Sequence, residues 1–108
     1  MQMNLSTRQL RAFLHLVEER SFTRAATLSH LSQPAFSALI RSLEDELGVR
    51  LFDRTTRSVE LTAEGRAFEA AARRVLREAE DAWTDVRQLA ARQRGRVALA
   101  VLPALAAG

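Results

Sequence analysis

The sequence predicts a mainly α chain in which three short helices and a two-stranded ribbon precede one long helix. Three observations carry that prediction. Serine or threonine cap signals head four helical patterns, at Ser6, Ser21, Ser32 and Thr62. Between the third and fourth patterns, residues 49–61 switch to short apolar alternation around a polar turn. After Thr62 an apolar residue recurs every three or four positions for about thirty residues, which is a helical period.

The first helix opens at Ser6, whose partner Gln9 completes a capping-box pattern, with Leu5 and Leu10 at the flanking staple positions. Leu10, Phe13, Leu14 and Val17 follow as one buried face, and the helix is expected to end near Glu19 or Arg20. Ser21 caps a short second helix reaching about Leu28, with Phe22, Ala25 and Ala26 inward; the alanines let another helix come close. After the turn Ser29-His30-Leu31, Ser32 caps the third helix. Pro34 in its first turn loses no hydrogen bond there. Phe36, Leu39, Ile40, Leu43 and Leu47 mark its apolar stripe, and Gly48 is a left-handed stop. Val49, Leu51, Phe52, Val59 and Leu61 then make a two-stranded ribbon whose tip carries Arg54, Thr55, Thr56 and Arg57.

Thr62 caps the fourth helix, with Glu64 near its positive end. It is expected to reach about Arg92, roughly 45 Å at 1.5 Å per residue. Phe68, Ala72, Val75, Ala79, Ala82, Val86 and Leu89 form a heptad seam along it, widened by Leu76, Trp83 and Ala90. A stripe of that length exceeds what a sixty-residue domain can cover, so a homodimer through this helix is predicted. Residues 93–96 break the pattern. Val97 to Leu102 reads as a buried first strand entering a further domain. The expected organisation is 5–62 for the helical domain and ribbon, 63–92 for the dimerisation helix, and 93–108 for a hinge and the first strand of a truncated domain.

Composition excludes several classes. Hydrophobic residues are 47% and charged residues 27% of 108 residues, a globular balance. No apolar run approaches a membrane span of about 20 residues, and no signal-peptide pattern opens the chain, so a cytoplasmic protein is expected. With no cysteine, disulfides and thiolate metal sites are out. The two histidines, His15 and His30, are isolated, and neither a nucleophile elbow nor a glycine-rich phosphate loop occurs. An enzyme and a metal site are therefore not expected. All sixteen basic residues are arginine, yet the net charge is only +3, too mild by itself to indicate a nucleic-acid partner.

The third helix is more telling. Ser32-Gln33-Pro34-Ala35-Phe36-Ser37-Ala38 buries Phe36 and leaves a flat outer face of small and polar groups. Three helices with a ribbon make a winged helix-turn-helix, the helix-turn-helix spanning about 22–41. A helix about 10–12 Å across fits the major groove of double-stranded DNA, where base edges carry a distinct hydrogen-bond code. Gln33 suits a bidentate pair with adenine; Pro34, Ala35 and Ala38 suit thymine methyls. Ser21, Thr23, Ser32 and Ser37 suit phosphates, aided by helix N-termini. Arg41 reaches a phosphate or a guanine, or pairs with Glu44 or Asp45. Arg54, Thr56 and Arg57 on the ribbon reach the backbone or minor groove, with Asp53 or Glu60 as competing partners for Arg54. The run Glu44-Asp45-Glu46 reads as a solvated face, and Trp83 as packing in the dimer seam. The rival reading is a winged-helix protein-interaction or assembly module without specific DNA binding.

Ser21 to Ala26, Leu31 to Ser37, Ile40 to Glu44, Glu46-Leu47-Gly48, Leu51 to Arg54 and Leu61 to Gly65, in this order and spacing, resemble the N-terminal region of LysR-type transcriptional regulators. The resemblance covers roughly residues 5–92. It implies a DNA-binding regulator that dimerises through the linker helix on an inverted-repeat site, with tetramers in full-length members. It also implies a C-terminal two-lobed domain for a small-molecule effector, of which residues 97–101 would be the first strand. Its DNA contacts map onto Gln33, Pro34, Ala35, Ser37, Ala38 and the ribbon arginines. Two departures stand out: Ser29 occupies a position that is usually leucine, and Ala38 one that is often long and polar. The first predicts altered packing in the turn; the second predicts thin hydrogen-bond readout and more reliance on DNA shape.

Overall fold

The computed structural model describes residues 5–55 and 57–107, with the backbone alone for 97–107. Four helices and one two-stranded sheet follow in the order α1 (Thr7–Glu19), α2 (Phe22–Leu28), α3 (Gln33–Leu47), β1 (Phe52–Arg54), β2 (Val59–Leu61) and α4 (Ala63–Ala107). The chain divides into two units after Leu76.

Helix α1 begins with the predicted reciprocal cap. The Gln9 N–H donates to Ser6 Oγ at 3.2 Å, and the Ser6 N–H donates to Gln9 Oε1 at 2.9 Å. It ends where Arg20 turns left-handed at φ 53°. Its buried face is Leu10, Ala12, Phe13 and Leu16, while Leu14 and Val17 are only partly covered. The predicted stripe was too narrow because α1 has neighbours on several sides. It packs on α2 and α3, and Phe13 meets both Phe52 of β1 and Phe68 of α4, at ring-centroid distances of 5.3 and 4.9 Å.

Ser21 caps α2 by accepting the Arg24 N–H at 3.2 Å, and Ala25 and Ala26 are fully enclosed. In the following turn His30 adopts φ 57° and the Leu31 N–H donates to the Ala26 carbonyl at 2.9 Å. Ser29 Oγ lies 3.2 Å from His15 Nδ1 of α1. A polar residue at this point therefore finds a polar partner, and the turn is hydrogen-bonded to α1.

Helix α3 is capped by Ser32, which accepts the Ala35 N–H at 3.2 Å, and stops at left-handed Gly48. Phe36, Ile40 and Leu43 are completely buried and Leu39 partly so. Leu47 departs from expectation at 40% exposure. It points the right way around the helix but lies one turn past the last residue that faces the core.

Strands β1 and β2 pair antiparallel, with Phe52 opposite Leu61, Asp53 opposite Glu60 and Arg54 opposite Val59. Arg54 is thus a strand residue and not a tip residue. The tip is tied by Thr55, whose N–H donates to the Ser58 carbonyl and whose Oγ1 accepts the N–H groups of Arg57 and Ser58. Thr56 lies outside the described residues.

The start of α4 is fastened to the residues just before β1. Thr62 Oγ1 accepts the Gly65 N–H at 2.9 Å and donates to the Arg50 carbonyl at 2.6 Å, while the Thr62 N–H donates to the Leu51 carbonyl at 3.0 Å. Ala72 and Leu76 close the same core, which is built on Phe13, Leu16, Phe36, Ile40, Leu43, Leu51 and Phe52. Helix α4 then continues through the predicted hinge at 93–96 and the predicted strand at 97–101 as far as Ala107. A strand needs a neighbour to satisfy its backbone, whereas a helix satisfies its own. The alanine and leucine content of 97–107 favours that outcome. Among the described residues no helix is long and apolar enough to cross a membrane.

Candidate nucleic-acid interface

The outer face of α3 carries Gln33, Pro34, Ala35, Ala38 and Arg41, all exposed, with Ser37 half-buried. It is held by what lies beneath it: Phe36 is fully buried and meets Phe22 of α2 edge-on, at 6.1 Å and 77°. Gln33 Nε2 donates to Ser37 Oγ at 2.8 Å. The amide keeps its second N–H and its carbonyl for a partner, which is what a bidentate adenine contact needs. Ser37, expected to bind phosphate, therefore also orients the residue one turn before it.

Ser21 and Ser32 spend a hydroxyl lone pair on the capping bonds of α2 and α3. Each retains a hydroxyl proton, so capping and donation to a phosphate oxygen are compatible. Thr23 is exposed in the first turn of α2. Among the described residues Arg41 makes no ion pair with Glu44 or Asp45, and Arg57 is exposed at the ribbon tip. Both guanidinium groups are placed for an anionic partner.

Arg54 is not placed that way. Its Nη2 donates to Glu44 Oε1 at 2.7 Å, and its guanidinium carbon lies 5.1 Å from the centre of the Phe22 ring. The expected competitors are otherwise engaged or unused: Glu60 pairs with Arg20, the residue that ends α1, at 3.4 Å, and Asp53 makes no ion pair among the described residues. The run Glu44-Asp45-Glu46 splits accordingly. Asp45 and Glu46 are exposed, but Glu44 is buried at 8% exposure. Its charge masks its phase: Glu44 follows Ile40 by four positions and so borders the apolar face.

The predicted seam on α4 also divides. Within the first unit, Phe68 packs on Phe13, and Ala72 and Leu76 are buried in the domain's own core, leaving Val75 48% exposed. Within the second unit, Ala79, Ala82, Trp83, Val86 and Leu89 are all exposed, Trp83 at 68% and Val86 at 66%. Ala79, Ala82, Trp83 and Val86 line one apolar hollow.

Residues 7–66 match the family described as bacterial regulatory helix-turn-helix protein, lysR family. The chain belongs to the LysR family. This LysR-type chain is 38% identical over 94 residues to an uncharacterized regulator, YbhD of Escherichia coli, covering 87% of the chain and 30% of the relative. It is 42% identical over 102 residues to a RuBisCO operon transcriptional regulator of Allochromatium vinosum, covering 92% and 33%. Its fold is similar to that of Vibrio fischeri DarR, solved in complex with DNA, with a TM-score of 0.77 at 38% identity over 82% of this chain and 30% of that one. It is also similar to the DNA-binding domain of CbnR, solved with DNA, with a TM-score of 0.75 at 38% identity over 80% of this chain and 99% of that one. The chain spans about a third of the length of YbhD and of the Allochromatium vinosum regulator.

Proposed function

We infer that this LysR-type chain is the sequence-reading part of a transcription regulator, binding an inverted-repeat duplex site as a dimer on the bacterial nucleoid. The observation that carries the reading is the outer face of α3, where Gln33 is oriented by Ser37 on a helix anchored by fully buried Phe36. Gln33 reads adenine, while Pro34, Ala35 and Ala38 meet thymine methyls and groove shape. Ser21, Thr23, Ser32 and Arg41 hold phosphates, and Arg57 with Thr56 brings the wing to the backbone or minor groove. Two structural neighbours were solved in complex with DNA, which supports DNA as the partner.

A second copy completes the arrangement. Among the described residues Val75, Ala79, Ala82, Trp83, Val86 and Leu89 form a run of seam positions on α4 that stay exposed. Helix pairing through them would set two recognition helices about one DNA turn apart, near 34 Å. The effector domain implied by the resemblance belongs to the same reading, although its expected first strand is helical here.

Binding of the chain to duplexes selected from a random pool tests the reading. Affinity should fall with salt at a slope of about −0.9 per phosphate neutralised, and the selected duplexes should share an inverted repeat. A chain that dimerises but binds no duplex would instead be an assembly module.

A further inference from the structure

Among the described residues Glu44 is the only charged side chain in the core. Its two oxygens have separate tasks. Oε2 accepts the Leu51 N–H at 2.7 Å and the Phe52 N–H at 3.4 Å, while Oε1 accepts Arg54 Nη2 at 2.7 Å. One carboxylate on the reading helix thus grips both the backbone and a side chain of β1. Arg54 in turn lies over Phe22 of α2, and Phe22 packs on Phe36 directly under the reading face. Helices α2 and α3 and the wing meet at this one ion pair.

We propose that Glu44 is a positioning residue for DNA reading: it fixes the wing against α3 and occupies Arg54, so that Arg57 is the cation the wing offers to DNA. This rests on the DNA-binding reading above. An arginine free beside a duplex is a phosphate ligand that reads no sequence. Arg54 sits next to the wing turn and would be one, but its charge is balanced by a buried carboxylate at 2.7 Å. Glu44 therefore trades general affinity for discrimination. It also keeps the strand that leads to Arg57 in register with the helix that carries Gln33.

The test measures binding of the full 108-residue chain to two duplexes of equal length, one selected by the wild type and one scrambled, at roughly 50 and 200 mM salt. Glu44→Gln keeps the shape and an acceptor for Leu51 but releases Arg54. Its salt slope should steepen by about 0.9, so that it loses about 3.5-fold more affinity than the wild type over that salt range. Its preference for the selected duplex over the scrambled one should fall. Arg54→Gln should keep the wild-type slope, and the double variant should return to it. A Glu44→Gln protein with a lower melting temperature but the wild-type slope and preference would make Glu44 only a packing residue and overturn the proposal. So would an Arg54→Gln slope flatter by about 0.9, because Arg54 would then already hold a phosphate. If Glu44→Gln does not fold, the Arg54→Gln slope decides alone. A wild type without salt-dependent duplex binding removes the DNA-binding reading itself, whereas normal wild-type binding with unchanged variant slopes removes this proposal only.

Discussion

Replacing Gly65 with alanine opposes two effects of known size. In a helix interior alanine is favoured over glycine by about 0.5–1 kcal/mol, an upper bound for Gly65 in the first turn of α4, so propensity alone predicts a more stable protein. The structure predicts the reverse. A Cβ at Gly65 would stand 2.1 Å from the Leu51 carbonyl oxygen and 2.7 Å from Leu61 Cδ2. Ordinary carbon–oxygen contact is about 3.3–3.6 Å, so the start of α4 and the backbone at Leu51 must separate by about 1.2–1.5 Å. Leu51 is fully buried, and the same carbonyl accepts the Thr62 N–H at 3.0 Å, so it has little room to yield. Overpacking costs about 1–3 kcal/mol, and weakening that hydrogen bond about 1 kcal/mol. After subtracting the helical gain, the net loss is about 1–3 kcal/mol. For a domain of this size that lowers Tm by about 5–15 °C. Urea and thermal unfolding followed by circular dichroism provide the assay. Gly95→Ala is the control, since nothing lies within 4 Å of its added methyl; it should hold or raise helix content. A Gly65→Ala protein as stable as the wild type would refute the close-approach argument.

Three further outcomes follow from the interface. Gln33→Ala should cost about 1–3 kcal/mol on the selected site and relax specificity there, and Ser37→Ala should produce a smaller loss of the same kind by releasing Gln33; unchanged footprints for both would end the base-reading role. Arg57→Ala should weaken selected and scrambled duplexes alike and flatten the salt slope by about 0.9, whereas a loss confined to one sequence would make Arg57 a base reader. Val75→Glu combined with Val86→Glu should yield monomers with an intact first unit, since both side chains are about half exposed or more; dimers persisting in sedimentation would remove the seam.

Local signals carried most of the elements. The caps at Ser6, Ser21 and Ser32 and the stop at Gly48 stand where the sequence placed them, because a cap is decided within about four residues. The paired ribbon was also legible, though not the position of Arg54 in its ladder. Errors gathered where distance along an element mattered. Leu47 has the phase of a core residue and the location of a surface one. Residues 97–101 are as compatible with a buried strand as with a helix, since a short apolar run is ambiguous without its neighbours. Three of the seam positions, Phe68, Ala72 and Leu76, pack inside the first unit and are not left for a partner.

The sequence by itself determined the helical order, the exposed composition of the Gln33–Ala38 face and the family, all written in periodicity, caps and motif spacing. Only the tertiary structure decided which arginine the wing can present. Glu44 and Arg54 are ten residues apart and carry no mark of each other in the sequence, yet they meet at 2.7 Å. Charge pairing in a core depends on which faces the fold brings together, and burial makes it matter: a carboxylate removed from water must find its donors, and Glu44 found them on β1.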